Sequence, residues 1–128
     1  MQAMVIDDSR AMRLILARIA GQLGFDVVQA GNGREALERL AELESTPELA
    51  LVDWNMPEMN GLEFIVAVRK EPKYKSMTLM MVTTESEQGQ IVRALAAGAH
   101  EYVIKPFTPD AIVEKLALLG LVRNEVTA

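Results

Sequence analysis

Five short apolar runs decide what this chain can fold into: residues 3–6, 27–28 with their flanks, 49–52, 79–82 and 102–104. Each run is unbroken rather than alternating, as expected of strands covered on both faces. Between the runs, apolar residues return at helical spacing. Met12, Leu16, Ile19 and Leu23 share one stripe, Leu37, Leu40 and Ala41 a second, and Leu62, Ile65 and Val66 a third. Ile91 and Leu95 mark a fourth helix, and Ile112, Leu116 and Leu119 a fifth. Asn32, Ser86 and Thr108 stand where caps belong near three helix starts. Gly24, Gly31, Pro47 and Gly98 punctuate the joins. Strand and helix alternate five times. That pattern calls for one α/β domain, a doubly wound five-stranded parallel sheet with helices on both faces, joined by right-handed crossovers.

Composition then narrows the function. The chain has 128 residues and is half apolar, enough for one domain with a real core. Its net charge is -5, with both signs interspersed, which argues against a nucleic-acid partner. It has no cysteine, so disulfides, thiolate metal sites and cysteine catalysis are excluded. No apolar run approaches a membrane span and no basic-then-apolar leader opens the chain, so a cytoplasmic location is expected. The eight methionines read first as flexible core filler.

In an open parallel sheet the site lies beyond the carboxyl ends of the strands. The residues there are Asp7 and Asp8 after the first run, Asp53 after the third, Thr83 and Thr84 after the fourth, and Lys105 after the fifth. Taken alone, Asp7 and Asp8 read as caps of the first helix. Asp53 adds a third negative charge to the same rim. Crowded carboxylates either gain protons or gather a cation. A hard divalent ion such as Mg²⁺, keeping several waters, suits such a shallow oxygen-lined site. Lys105 is either a strand-end lysine pointing into water or a point charge aimed at that rim, its turn fixed by Pro106. Position alone leaves Thr83 open between strand terminator and ligand.

The segments IDDSRAMR (6–13), VDWNMPEMNGLEF (52–64), MVTTESE (81–87) and EYVIKPF (101–107) resemble the four motifs of response-regulator receiver domains. AGNGREAL (30–37) and AAGAHEY (96–102) fit the same family, and the stand-alone chemotaxis regulators are its most similar members. The resemblance implies a flavodoxin-like sheet of order 2-1-3-4-5, with a receiver domain over residues 1–120, a tail over 121–128 and no output domain. It makes Asp53 the phosphoryl acceptor and Mg²⁺ the cofactor. Asp8, Asp53 and the Asn55 carbonyl would ligate the metal directly, and Asp7 through water. Lys105 would neutralise the phosphoryl group. Thr83 would be the switch hydroxyl, followed by the bulkier Thr84, and Tyr102 the aromatic that changes with it. Asn55 and Glu85 would tune dephosphorylation. A CheA-like sensor histidine kinase would be the donor and a flagellar switch protein the target, with a phosphatase as a further partner and the protein itself monomeric. The chain would thus be a signalling switch that catalyses only its own phosphorylation and dephosphorylation.

Within that reading, a phosphate sink or a relay intermediate is the alternative to a motor regulator. A flavodoxin-like electron carrier shares the outline, but Asp7 and Asp8 would repel a flavin phosphate. An aspartate-nucleophile phosphatase would want a second aspartate two residues after the first, where this chain has Asn55. His100 is expected to be an exposed turn residue without a role, and Trp54 a loop aromatic beside Asp53.

Overall fold

A computed structural model of the protein describes residues 1–84 and 88–122. The strands are β1 (Gln2–Ile6), β2 (Asp26–Ala30), β3 (Leu49–Val52), β4 (Thr78–Thr83) and β5 (Glu101–Ile104). The helices are α1 (Arg10–Gln22), α2 (Gly33–Glu42), α3 (Gly61–Arg69), α4 (Gln88–Ala97) and α5 (Pro109–Leu118). All strand pairs are parallel, in the order β2-β1-β3-β4-β5 that the resemblance implies. The register sets Ile6 beside both Ala30 and Val52, and Thr83 beside Ile104. The carboxyl ends of β1 and β3 are therefore level.

Apolar residues on both faces of each central strand produce two cores. Leu16 and Ile19 of α1 and Ile112 and Leu116 of α5 pack on one face, against Val5, Leu51 and Val82. Ala36 and Leu40 of α2, Phe64, Ile65 and Val68 of α3, and Ala94 of α4 pack on the other, against Met4, Val52 and Met81. Met4, Met77, Met80 and Met81 are fully buried, which bears out the filler reading for these four.

Three of the expected helix stripes shift. Ala41 and Val66 are exposed, and Ala36, Phe64 and Val68 take the buried places. On α4, Leu95 is also exposed and the small Ala94 faces the sheet. Asn32 and Thr108 cap α2 and α5 as expected. Ser86 lies outside the described residues. The cap of α1 is neither Asp7 nor Asp8 but Ser9, whose side chain accepts the Met12 N–H. Asp7 accepts the Ser9 N–H instead, closing a tight turn that turns its carboxylate back over the sheet end. A single 3-10 turn, Pro72–Tyr74, leads into β4 and was not anticipated.

Candidate functional site

Each site residue is fixed by continuing the backbone ladder one step past its strand. The Asp7 N–H donates to Ala30 O (3.1 Å), the Asp53 N–H to Ile6 O (2.9 Å) and the Lys105 N–H to Thr83 O (2.8 Å). After Asp53 the chain turns back sharply. The Gly61 N–H donates to Trp54 O at 2.8 Å, and a Cβ on Gly61 would collide with the Asp53 carbonyl. Only glycine admits that approach. Asn60 and Glu63 then close a capping box that starts α3.

The result is one acidic cluster. Carboxylate oxygens of Asp7, Asp8 and Asp53 all lie within 4.8 Å of one another. Asp7 is 1% exposed and Asp53 7%, while Asp8 is open to water. The Lys105 ammonium sits 2.7 Å from Asp7 Oδ2 and 3.4 Å from Asp53 Oδ2. Lys105 therefore points into the rim rather than into solvent. The Lys105–Pro106 bond is cis. Thr83 is fully buried and hydrogen-bonds the Asp53 carboxylate.

The electrostatics of Asp53 follow. Burial pushes its pKa up from the usual 3.8. The Thr83 hydrogen bond opposes that, the Asp7 charge adds to it, and the charge and hydrogen bond of Lys105 oppose it again. The rise survives, so one ammonium and one hydroxyl leave the cluster short of positive charge. A hard divalent cation fits this deficit. The donors are carboxylate oxygens, and an open depression lined by Asp8, Asn55, Met56, Pro57 and Asn60 leaves room for retained water.

Other expected residues fall less simply. Asn55 and Thr84 are exposed near the rim. Glu85 lies outside the described residues. Tyr102 is 8% exposed and belongs to the same core as Ala94. Trp54 lies in the loop after β3 as expected, but its ring is buried in the core, with the Arg93 guanidinium 5.9 Å from its centre. His100 is exposed as expected but not idle, since its Nδ1 accepts the Leu79 N–H at 3.1 Å. Two contributors escaped the sequence reading. Ser9 fixes Asp7, and Arg13 donates from Nη1 to the Asp7 carbonyl at 2.7 Å. The signal for Arg13 was a cation one turn from Leu16, on the side of α1 that packs.

Known proteins match the whole arrangement. The family described as response regulator receiver domain matches residues 3–117. The chain is 46% identical over 117 residues to a chemotaxis protein CheY homolog of Campylobacter jejuni, covering 91% of this chain and 89% of that one. It is 40% identical over 120 residues to the chemotaxis protein CheY1 of Helicobacter pylori, covering 93% and 96%. Among solved structures, the chemotaxis response regulator CheY4 of Vibrio cholerae superposes with a TM-score of 0.84 at 31% identity, covering 92% and 97%. With the parallel sheet, the acidic rim and these matches in agreement, the chain belongs to the response regulator receiver domain family.

Proposed function

We propose that the protein is a stand-alone chemotaxis response regulator that accepts a phosphoryl group on Asp53 from a sensor histidine kinase. The observation that carries this reading is the position of Asp53. It is the carboxylate of the cluster whose hydrogen-bond partners, Thr83 and Lys105, are a hydroxyl and an ammonium able to hold phosphoryl oxygens. Asp7 is committed to Ser9 and Lys105, and Asp8 stands out in water.

Phosphoryl transfer needs in-line placement and charge stabilisation more than covalent help. An Asp53 carboxylate oxygen attacks the phosphorus of the kinase phosphohistidine. The P–N bond breaks and its electron pair returns to the imidazole nitrogen, leaving an acyl phosphate. Asp8, Asp53 and the Asn55 carbonyl, with Asp7 through water, would hold Mg²⁺, which would supply the positive charge that lets two anions meet. Lys105 and the Thr83 hydroxyl then bond the phosphoryl oxygens in place of the bare carboxylate.

The signal is a population shift that follows from this exchange of partners. Thr83 turns from Asp53 toward the phosphoryl group. Tyr102, one strand over, then repacks, and the surface of α4, β5 and α5 changes for a partner such as a flagellar switch protein to read. Reset is hydrolysis. Water attacks phosphorus, the P–O bond to Asp53 breaks and inorganic phosphate leaves. By the family resemblance, Asn55 and Glu85 set the lifetime. An unchanged lifetime after both become alanine would remove them from this role.

The test is to add acetyl phosphate or beryllofluoride with Mg²⁺ and follow Trp54 emission. Wild type should respond, and Asp53→Asn should not respond at all. Equal responses from the two proteins would end the proposal. In the same assay Thr84→Ala should speed labelling by acetyl phosphate, because the Thr84 methyl narrows access to Asp53.

A further inference from the structure

We propose that Arg13 is a positioning residue that places Asp8 in the metal site, an inference that rests on the reading of the acidic rim given above. The three carboxylates are not held alike. Asp7 is clamped on both oxygens, by the Ser9 N–H at 2.9 Å and the Lys105 ammonium at 2.7 Å. Asp53 is clamped by Thr83 and Lys105. The Asp8 side chain accepts no hydrogen bond from any described residue, yet its oxygen lies within 4.8 Å of the other two carboxylates. Its place is therefore set by its backbone.

That backbone begins with the peptide joining Asp7 to Asp8, and Arg13 holds its carbonyl. Nη1 donates to Asp7 O at 2.7 Å, a short, charge-assisted bond. The other side of the same residue is fixed by the Asp7 N–H on Ala30 O. The Asp7 unit is thus gripped from β2 and from α1, and the plane of the 7–8 peptide cannot turn without breaking one of those bonds. Arg13 is itself half-buried, its Nη1 within contact distance of the space beside Gly31. Groups that orient ligands from behind in this way are commonly worth about tenfold or more in metal affinity.

Electrostatics predicts the opposite sign, which makes the proposal sharp. A guanidinium near three carboxylates repels a dication. If Arg13 acted only through its charge, removing it would tighten metal binding. If it acts by orienting the 7–8 peptide, removing it weakens binding despite the lost repulsion.

The experiment is a Mg²⁺ titration of Trp54 fluorescence on the full chain, for wild type, Arg13→Gln, Arg13→Lys and Asp8→Ala. Each is first checked by thermal melting without metal to be folded at the titration temperature. Arg13→Gln should bind Mg²⁺ about tenfold more weakly. Arg13→Lys, which keeps the charge but loses the planar fork, should also bind more weakly than wild type. Tighter or unchanged binding by Arg13→Gln overturns the proposal while leaving the site reading intact. A wild type that binds no better than Asp8→Ala overturns the site reading itself, and this inference with it. Should Arg13→Gln fail to fold, Arg13→Lys decides alone, with wild-type affinity counting against the proposal.

Discussion

At the carboxyl end of the sheet one ammonium pairs with two of three crowded carboxylates, whereas at the amino end one guanidinium faces four backbone carbonyls. Arg69, in the last turn of α3, donates from Nε and Nη2 to Gly98 O (3.2 and 3.0 Å). It donates from Nη2 to Met77 O (2.9 Å) and from Nη1 to Tyr74 O (3.2 Å) and Lys75 O (3.4 Å). It thereby ties the 3-10 turn before β4 to the loop before β5. His100 completes the arrangement by accepting the Leu79 N–H. The amino end is a set of satisfied donors and acceptors. The carboxyl end crowds three carboxylates about one ammonium. One end holds the fold and the other is left able to react.

The largest effect expected from this contrast is a split between activity and stability. Asp53→Asn should abolish phosphoryl acceptance yet raise the stability of the fold at neutral pH, because it removes a buried charge that the site disfavours. Urea denaturation beside an acetyl phosphate labelling assay checks both. A variant that is inactive but no more stable would mean that the rim carries no such tension. Arg69→Ala should do the reverse. Losing charged hydrogen bonds to several carbonyls should lower stability by about 2–3 kcal/mol, with the labelling rate of the still-folded protein unchanged. A slower rate would show that the two ends are coupled.

A smaller test concerns backbone strain. Positive φ is met differently at the two ends. At the amino end it falls on glycines, Gly24, Gly98 and Gly120, and at Gly98, φ +127, the Arg69 side chain occupies the space where a Cβ would stand. At the carboxyl end it falls on Glu58, φ +64, in the loop between β3 and α3. Its side chain accepts a 3.3 Å hydrogen bond from Asn32 Nδ2, exposed and weak. Glu58→Gly should therefore stabilise the protein by about 0.5 kcal/mol, the steric relief slightly exceeding the entropy lost on ordering glycine. A destabilised variant would show that the link to Asn32 matters more than the strain.

The two ends were also unequally legible. The rim could be read because an unbroken apolar run announces where a strand stops, and Asp7, Asp53 and Lys105 are the next residues. Strand order came from the family resemblance, since periodicity says nothing about which strands are neighbours. The amino end left no trace, because Arg69 and His100 bond to backbone atoms and backbone has no sequence signature. The cap of α1 was misread for a related reason. Asp7, Asp8 and Ser9 are all good caps, and only the sheet end shows that Asp7 is drawn to Lys105. Leu95 was assigned to the core by spacing. The face of α4 that meets the core carries Ala94, with Ile91 and Ala97 packed beside it, and Leu95 lies off that face.

Acid should separate the ends with the smallest effect, and with opposite signs. The His100 pKa lies below its usual 6.5, held down by burial and then by the Arg69 charge. As pH falls through 6.5 the unfolded chain takes up a proton that the folded chain refuses. Stability from the neutral imidazole is therefore complete above 6.5 and is lost from there down toward the folded pKa. Asp53 behaves conversely. Its folded pKa lies above 3.8, so the folded chain takes up the proton first, and the penalty for its buried charge fades as pH falls through that range. Urea midpoints measured from neutral pH downward separate the two terms. His100→Asn keeps an acceptor for the Leu79 N–H but cannot titrate, so its stability should fall less than wild type just below pH 6.5. Asp53→Asn lacks the offsetting gain and should fall more steeply than wild type as pH approaches 3.8. If His100→Asn instead tracks wild type through the whole range, the imidazole at the amino end is not held neutral by its neighbours, and the contrast between the two ends reduces to Arg69 alone.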